Sequence, residues 1–280
     1  MKSSRVLIKL GGASLQDEKV LHVVTEALKQ YRKYGYQVIL VHGGGPAINA
    51  ELTRRGIEWN FIKGQRVTTP DMMDVIEGVL CGDINRKLIR HLGSQGLPAV
   101  GFSGADGKTL LCKQASEELG QVGSIQEVAV KWIEGLLSQP NSPIPVIAPI
   151  GVGENGEAYN INADWAATHL ATALKAEYLV FLTDQNGIWN TQKQLVSQMS
   201  QHTLEEMVQE EVVTGGMYTK TLTILHALQK GVKAVRVMNA RDSLNGLWSD
   251  YVGTWCMPEE EDVYQYVPFN KVEAVSHVAV

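Results

Sequence analysis

The sequence predicts an α/β fold built on a mostly parallel sheet that helices cover on both faces. Two observations predict this fold. Continuous apolar runs such as VILV at 38–41, which suit strands buried on both faces, alternate with segments whose apolar residues recur every three or four positions. Glycine and proline punctuate many of the boundaries between them. Strands and helices that alternate in this way form parallel sheets joined by right-handed crossovers.

The first part of the chain supplies the first strands and helices of this pattern. The expected strands are 5–10, 38–41, 98–102 and 144–148, and the expected helices are 17–34, 46–55, 69–91 and 131–139. Gly35 stands where a left-handed residue ends a helix, and Pro46 suits the first turn of the next one. Short apolar runs with glycine turns predict a hairpin within 107–130, and ENGE at 154–157 predicts another hairpin turn.

The second part of the chain continues the alternation. Strands are expected at 178–183 and 233–238, and helices at 164–175 and 216–230. No internal repeat or low-complexity segment stands out. The acidic segment after about Met257, which begins PEEEDVY, is expected to be a loosely held tail.

The composition argues against several classes of function. Of 280 residues, 44% are hydrophobic and 20% are charged, with a net charge of −5, which is ordinary for a globular protein. Neither a long basic run nor a basic amphipathic helix suggests binding to nucleic acid or to a membrane. The three cysteines (Cys81, Cys112 and Cys256) form no CxxC pair, so they predict neither disulfides nor a zinc site and favour a reducing cytoplasm. The N-terminal apolar run stops at Lys9 and is too short for a signal peptide.

Three glycine-rich turns, at 11–12, 43–45 and 214–216, follow expected strands or open expected helices. Glycine lets a ligand approach the backbone, and a helix N-terminus presents free N–H groups with a partial positive charge, so such a turn can bind an anion. A tight turn without a ligand is the alternative for any one of them. Their repetition at the carboxyl ends of strands favours a ligand, because open α/β sheets bind ligands there.

Three familiar glycine motifs do not fit HGGG at 42–45. The P-loop pattern GxxxxGK[ST] is absent throughout the chain. The dinucleotide pattern GxGxxG fails at Ile48, and the esterase loop lacks its partner GxSxG. No HExxH, spaced ligand set or Ser-His-Asp pattern suggests a metal site or a hydrolase. His42 is compatible with either a structural or a functional role.

Charged side chains accompany these turns. Lys9 is the penultimate residue of a buried strand, where it needs an anionic partner or must reach solvent past the strand end. Lys220 is an ordinary helical lysine when taken alone, but together with Lys9 it can clamp a phosphoryl group. Asp164, in NINAD at 160–164, is either a helix N-cap or a carboxylate that orients both lysines. Arg66 is either a bidentate clamp for a carboxylate or a solvated surface charge.

Six motifs that occur in order carry a family resemblance. They are KLGG at 9–12, VHGGGP at 41–46, GQRVT at 64–68, NINAD at 160–164, LTDQNGI at 182–188, and VTGGM at 213–217 followed by Lys220. From Lys9 to about Met257 the chain resembles the amino acid kinase family, most closely its acetylglutamate kinase branch. The resemblance implies an open three-layer αβα sandwich around a mainly parallel central sheet of about eight strands. It also implies one domain, 1–280, with an amino-acid substrate lobe and dimer surface in 1–175, and a nucleotide lobe with a C-terminal tail in 176–280.

The activity that the resemblance implies is transfer of the ATP γ-phosphoryl group to the side-chain carboxylate of N-acetyl-L-glutamate, the second step of arginine biosynthesis. ATP would be the co-substrate, and Mg²⁺ would be bound with it. No general base is needed, because the accepting carboxylate is already ionised at neutral pH. Glutamate, carbamate and carrier-protein-linked amino acids are alternative acceptors. A non-catalytic amino-acid sensor is an alternative from another class.

The resemblance also implies roles for individual residues. The catalytic set would be Lys9, Lys220, Asp164 and the main-chain N–H groups of Gly11 and Gly44. The acceptor site would comprise Gly44, Gly45, Arg66, Asn160 and Asn162. The nucleotide site would comprise Asp184, Gly187, Ile188, Thr214, Gly215, Gly216 and Met217. No residue is expected to hold a metal by itself, and a side chain at Gly44 or Gly45 is expected to occupy the space of the substrate.

The resemblance further implies a cytoplasmic homodimer. Arginine-inhibited members of the family carry an extra helix before the first strand, whereas the first strand here is expected to begin near Arg5. The sequence therefore predicts an arginine-insensitive homodimer rather than a hexameric ring.

Overall fold

A computed structural model of the protein describes residues 4–247, 249 and 251–259, so the tail expected after about Met257 lies almost entirely outside the described residues. The strands are β1 (Arg5–Leu10), β2 (Gln37–His42), β3 (Phe61–Ile62), β4 (Gln65–Arg66), β5 (Ala99–Ser103), β6 (Leu110–Gln114), β7 (Gly123–Val128), β8 (Ile144–Ala148), β9 (Ile150–Val152), β10 (Ala158–Asn160), β11 (Tyr178–Thr183), β12 (Ile188–Trp189), β13 (Leu195–Val196), β14 (Gln198–Ser200), β15 (Ala234–Asn239) and β16 (Thr254–Met257). The α-helices are α1 (Glu18–Lys33), α2 (Gly45–Arg54), α3 (Pro70–Glu77), α4 (Asn85–Ser94), α5 (Lys131–Leu137), α6 (Ala163–Ala173), α7 (Gln201–Gln209) and α8 (Gly215–Gln229).

Eight strands form the central sheet in the order β14-β16-β15-β11-β1-β2-β8-β5. All neighbouring pairs are parallel except β15 with β16. Side chains alternate across the sheet, so Leu7 and Phe181 pack towards α6 and α8, while Val6 and Ile8 pack towards α1. The expected three-layer αβα sandwich around a mainly parallel sheet is therefore confirmed.

Many of the expected boundaries are close to the observed ones. The strands expected at 5–10, 144–148 and 178–183 are β1, β8 and β11 without change. The helix expected at 17–34 is α1, whose N-cap Asp17 accepts hydrogen bonds from two backbone N–H groups of the first turn. Gly35, which follows this helix, has a φ of +84°, the left-handed value that a C-terminal glycine provides.

The helix expected over 69–91 is longer and less regular than the sequence predicts. It consists of α3, a π-helical segment at Gly78–Ile84, and α4, which ends at Ser94. Leu80 and Ile84 of the π-helical segment pack against the glycine turn after β2. The helical periodicity of the sequence continues through this segment, which is why the wider turn was not predicted.

Four short strands form a second sheet in the order β10-β9-β6-β7. The hairpin expected within 107–130 is the antiparallel pair of β6 and β7, and the turn expected at 154–157 joins β9 to β10. Isolated bridges join Val122 to Asn160 and Thr68 to Gly120. This second sheet thereby carries Asn160 to the carboxyl edge of the central sheet, where the glycine turns lie.

Candidate active site

The glycine turns after β1 and β2 meet at the carboxyl edge of the central sheet. Leu10, the last residue of β1, lies opposite both His42 of β2 and Leu182 of β11 in the parallel register. The chain therefore leaves three neighbouring strands at the same edge, where ligands of open α/β sheets bind. A cavity of about 320 Å³ opens there, at the small end of the range for ligand pockets.

The lining of this cavity includes all five residues expected at the acceptor site, and two more from the expected catalytic set. The acceptor residues are Gly44, Gly45, Arg66, Asn160 and Asn162, and the catalytic ones are Lys9 and Asp164. They come from β1, the turn after β2, the β3–β4 hairpin and the segment that opens α6. The fold thus brings together residues that lie as much as 155 positions apart, from Lys9 to Asp164.

Asp164 joins the two lysines at this edge. Its Oδ1 lies 2.8 Å from Lys9 Nζ, and its Oδ2 accepts a hydrogen bond of 2.7 Å from Lys220 Nζ. Lys9 points from β1 towards the α6 face of the sheet, while Asp164 lies in the first turn of α6. The ammonium group of Lys220 also lies 4.8 Å from the centre of the Phe181 ring, within the range of a cation–π contact.

The electrostatics of this group favour an anionic ligand. Burial by itself would raise the pKa of the Asp164 carboxyl, but the charges of Lys9 and Lys220 outweigh it and hold this pKa well below its usual range. Burial lowers the pKa of Lys220, and the Asp164 charge opposes that change. Two ammonium groups and one carboxylate leave a net charge of +1 in a largely buried place, which a phosphoryl group can neutralise.

The N-cap of α6 is Asn162 rather than Asp164. Asn162 Oδ1 accepts hydrogen bonds from the backbone N–H groups of Asp164 and Trp165, at 2.9 and 3.3 Å. The interpretation of Asp164 as a simple cap is therefore wrong, and both of its oxygens remain available to the lysines. Asn162 also lines the cavity, but its side-chain oxygen is occupied by capping.

The structure distinguishes the two glycines after β1. The Gly11 N–H extends the sheet ladder and donates to the Leu182 carbonyl at 2.9 Å, so it does not face the cavity as expected. Gly12 lines the cavity instead. A Cβ at Gly12 would lie about 3.0 Å from Gly45 N and from Pro46 Cδ, so the two glycine turns can pack together only without side chains.

Gly44 and Gly45 have different surroundings. A Cβ at Gly44 would lie 2.5 Å from Leu80 Cδ2 and 2.6 Å from Ile84 Cδ1, whereas a Cβ at Gly45 would meet no atom of the described residues within 4 Å. The expectation that a side chain at either position enters the substrate space therefore fails for Gly44, whose Cβ would enter the apolar packing of the π-helical segment. At Gly45 the space is open.

Arg66 is a buried cation with a free donor. Its guanidinium carbon lies 5.1 Å from the centre of the Trp59 ring and 4.7 Å from that of Phe61, and its Nη2 donates to Asn49 Oδ1. Within the described part of the chain, its buried Nη1 has no hydrogen-bond partner. Burial lowers the pKa of Arg66. The interpretation as a solvated surface charge is wrong, and a carboxylate in the cavity would satisfy the free donor.

The sequence reasoning missed both aromatic rings around Arg66. Trp59 and Phe61 stack edge to face with centroids 5.7 Å apart, and Phe61 also lines the cavity. Their signal was an aromatic pair two residues apart in front of a short hairpin, which places both rings on one side of β3. The missed glycine, Gly12, had no signal that separates it from Gly11.

Residues 4–239 match the Amino acid kinase family. The chain belongs to this family. The acetylglutamate kinase of Bacillus cytotoxicus is 38% identical over 251 residues, which cover 89% of this chain and 94% of that protein. The acetylglutamate kinase of Brevibacillus brevis is 41% identical over 256 residues, which cover 89% of this chain and 95% of that protein. The resemblance inferred from the six motifs is thus confirmed.

A solved structure of N-acetylglutamate synthase from Neisseria gonorrhoeae, complexed with coenzyme A and N-acetyl-glutamate, shares the fold. It matches with a TM-score of 0.80 at 18% identity and covers 92% of this chain and 60% of that chain. At that identity the likeness extends to the fold alone.

Of the expected nucleotide residues at 184–188 in the amino acid kinase chain, Asp184 lies close enough to Lys220 for its charge to act on it. Asp184 follows β11, and its charge raises the pKa of Lys220 against the larger effect of burial. The Ile188 N–H donates to Thr254 Oγ1 at 2.8 Å, and a Cβ at Gly187 would lie 2.6 Å from the same oxygen. Gly187 and Ile188 therefore have a packing role against β16.

The N-terminus of α8 is the other expected part of the nucleotide site. Thr214 is its N-cap but makes no side-chain capping hydrogen bond, and Gly215 has a φ of +56°. The first turn of this 15-residue helix, which includes Gly216 and Met217, is therefore not capped by the side chain of Thr214. An uncapped helix N-terminus suits a phosphate.

Among residues 4–247, 249 and 251–259, no three His, Cys, Asp or Glu side chains gather in a group that could hold a metal ion. Over the same residues, no helix is long and apolar enough to cross a bilayer.

Proposed function

We propose that the protein is an ATP-dependent acetylglutamate kinase. It transfers the γ-phosphoryl group of ATP to the side-chain carboxylate of N-acetyl-L-glutamate and gives N-acetyl-L-glutamyl 5-phosphate and ADP. Relatives of that name match at 38% and 41% identity over nearly their whole length. The observation that carries the proposal is the pairing of Lys9 and Lys220 on Asp164 at the border of a glycine-lined cavity.

The acceptor lies in the cavity in this proposal. The free Nη1 of Arg66 binds the α-carboxylate of the acceptor. The Trp59 and Phe61 rings and Asn49 hold the guanidinium in place. Asn160, whose Nδ2 donates to Thr68 Oγ1 at 3.0 Å, offers its amide oxygen to the acceptor. The side-chain carboxylate of the acceptor then points towards Lys9 and Gly44.

The nucleotide lies on the other side of the two lysines in this proposal. Its phosphates approach the N-terminus of α8 and Lys220, while residues 184–188 border the nucleoside. Mg²⁺ would be bound together with ATP, because the described residues form no group of three His, Cys, Asp or Glu side chains that could hold it alone. In this role the ion would neutralise charge on the β- and γ-phosphates.

The reaction then needs position and charge rather than proton transfer. A carboxylate oxygen of the acceptor attacks the γ-phosphorus, an O–P bond forms, and the bond from that phosphorus to the β–γ bridging oxygen breaks. ADP leaves with the electron pair. Lys9 and Lys220 stabilise the charge spread over the transferring oxygens, and Asp164 holds both ammonium groups in place.

The remaining features of the proposal concern the whole protein. The first 175 residues bind the acceptor and form the subunit contact of a homodimer, and the rest binds the nucleotide. The enzyme acts in the cytoplasm, where its three free cysteines stay reduced. These statements rest on the family resemblance and on the thiols.

One assay tests the acceptor and the reaction together. With ATP and hydroxylamine, the protein should form hydroxamate from N-acetyl-L-glutamate and far less from glutamate, aspartate or carbamate. Turnover of free glutamate but not of its acetylated form would reject the acceptor. ATP binding without turnover on any of the four would instead favour a sensor.

A further inference from the structure

His42 is a buried side chain that the proposed reaction does not use. It ends β2, directly before the glycine turn, and no part of it is exposed. Its Nδ1 lies 3.2 Å from the carbonyl oxygen of Gly43, and its Nε2 lies 3.1 Å from Asn85 Nδ2. Asn85, the first residue of α4, is also fully buried.

The contacts of Asn85 determine which ring nitrogen of His42 carries the proton. Asn85 Oδ1 accepts a hydrogen bond of 2.9 Å from Arg86 Nη2, so the amide nitrogen is the group that faces His42. One of its hydrogens goes to the Val146 carbonyl at 2.9 Å. The other is shared between His42 Nε2 at 3.1 Å and the more distant Phe102 carbonyl at 3.5 Å, and the shorter contact is the one to His42. Nε2 therefore accepts, and the proton of a neutral ring lies on Nδ1, from which it is donated to the Gly43 carbonyl.

A neutral ring is what this environment maintains. Burial lowers the pKa of His42 from 6.5 to about 4, and the hydrogen bond to the Gly43 carbonyl opposes that change. A second proton on Nε2 would also face the N–H of Asn85. The tautomer with the proton on Nδ1 is therefore the form present at neutral pH.

This hydrogen bond has a consequence for the neighbouring donor. The Gly43 carbonyl and the Gly44 N–H belong to one trans peptide unit and point in opposite directions. Within the residues that the structure describes, no hydrogen bond uses the Gly44 N–H. A peptide between two glycines rotates easily, because both residues tolerate φ of either sign. Without a hydrogen bond to the Gly43 carbonyl, the Gly44 N–H would point towards the cavity only part of the time.

We propose that His42 is a positioning residue that fixes the Gly43–Gly44 peptide with its N–H directed into the cavity. The proposal rests on the proposed phosphoryl transfer for its kinetic part. The Asn85 amide donates to Nε2 and so keeps the proton of His42 on Nδ1. The Nδ1–H group then donates to the Gly43 carbonyl and fixes its direction. Because the Gly44 N–H belongs to the same peptide unit, it stays directed to the place where charge develops on the transferring group. The three glycines supply close approach to the ligand, and His42 supplies the rigidity that they lack.

A structural test of the proposal needs no activity. Neutron diffraction from perdeuterated crystals of the full chain should show deuterium on His42 Nδ1 and none on Nε2 at pH 7.5. Deuterium on Nε2 would overturn the proposal, because Nδ1 could not then donate to the Gly43 carbonyl. This result is independent of which acceptor the enzyme uses.

A kinetic test compares two substitutions of the same residue. In His42→Asn the side-chain amide nitrogen can take the place of Nδ1, whereas His42→Leu fills similar volume with no donor. We expect His42→Leu to lower kcat by about 10²-fold, the effect of losing one oriented donor, with KM values for ATP and acceptor changed less than about threefold. The kcat of His42→Asn should be at least about tenfold higher than that of His42→Leu.

Two kinetic outcomes would overturn the proposal. One is a kcat of His42→Leu within about threefold of wild type. The other is an equal loss in both variants while both remain folded by circular dichroism, because the donor would then be irrelevant. If neither variant folds, the neutron map decides. If the wild-type protein does not phosphorylate N-acetyl-L-glutamate, the proposed function fails, while the position of the deuterium still tests the role of His42.

Discussion

Two ammonium groups share the oxygens of one buried carboxylate, and this arrangement shows how far single residues can be interpreted from sequence. Lys9, Asp164 and Lys220 were identified from their motifs, and the distances of 2.7 and 2.8 Å place them together. Both oxygens of Asp164 are available to the lysines because Asn162, and not Asp164, caps α6. Asn and Asp are both favoured as N-caps, so the sequence alone left open whether Asp164 caps the helix or orients the two lysines.

The charge of Lys220 is expected to act on turnover more than on binding. Lys220→Met keeps the apolar stem and removes the ammonium group, so we expect kcat to fall about 10²–10³-fold, with a smaller change in KM. Initial rates in the hydroxamate assay measure both. Lys233→Met is the matched control, because Lys233 pairs with Glu177 at the opposite end of the strands, with 60% of its side chain exposed. Equal losses in the two variants would contradict a specific role for Lys220.

Gly44 and Gly45 are expected to respond differently to the same added methyl group. In Gly44→Ala the Cβ meets Leu80 and Ile84, so we expect a loss of about 1–3 kcal/mol in the free energy of unfolding from overpacking. In Gly45→Ala the Cβ meets no atom of the part of the chain that the structure describes, so stability should be unchanged or slightly higher while KM for the acceptor rises. Urea denaturation and steady-state kinetics separate the two effects. Reversed results would mean that Gly44 faces the substrate after all.

At the scale of elements, periodicity was informative wherever an element is long and buried. Strand β11 was predicted to the residue, and α8 within one residue at each end. The segment from 188 to 209 was not predicted, because β12, β13 and β14 have only two or three residues each and α7 follows them directly. Strand β16, which has four residues, was also not predicted, although Trp255 and Cys256 are fully buried. Such strands are specified by their partners rather than by their own pattern.

A negative charge at the N-terminus of α8 is expected to stabilise the helix but to weaken the binding of ATP. Gly216→Asp places a carboxylate in the first turn, where the helix dipole favours it by about 0.3–1 kcal/mol. Among the described residues, no atom lies within 4 Å of a Cβ at Gly216. The same charge repels the ATP phosphates, so KM for ATP should rise at least about tenfold. The control is Gly216→Ala, which adds the methyl group without the charge. Thermal denaturation measures the stability, and initial rates at varied ATP concentration measure KM. A KM for ATP that is the same in Gly216→Asp and Gly216→Ala would contradict this view.

At the scale of the whole molecule, strand order decides which residues meet. The central position of β1, between β2 and β11, places Gly12, Gly44 and Asp184 at one edge of the sheet. The alternation of strands and helices predicted a parallel sheet, and the family resemblance supplied the number of strands. Neither could show that the β3–β4 hairpin reaches α8, where a Cβ at Gly64 would lie 3.6 Å from Thr219 Oγ1. That contact depends on the packing of two distant segments.

The free energy of unfolding is expected to fall in mild acid, in part through His42. The pKa of His42 is about 4 in the folded protein and 6.5 in the unfolded chain, so the unfolded chain binds the proton more tightly. The stabilisation is complete above pH 6.5 and is lost as the pH falls towards 4. By pH 5 the loss from His42 amounts to roughly 2 kcal/mol. The depressed pKa of Asp164 acts at lower pH, because its stabilisation is lost only as the pH falls through and below its unfolded value near 4.

His169 has a pKa lowered to about 4 by burial, by His226 and by Lys230, and it adds to the acid sensitivity of the wild-type protein. The contribution of His42 is therefore isolated by the difference between wild type and His42→Asn. Urea denaturation of both at pH 7.5 and pH 5 should show that difference shrink by roughly 2 kcal/mol, since only wild type loses the His42 part. A difference that is the same at both pH values would mean that the ring accepts a proton in the folded state as readily as in the unfolded chain. The arrangement of Asn85, His42 and the Gly43 carbonyl would then not hold the neutral form.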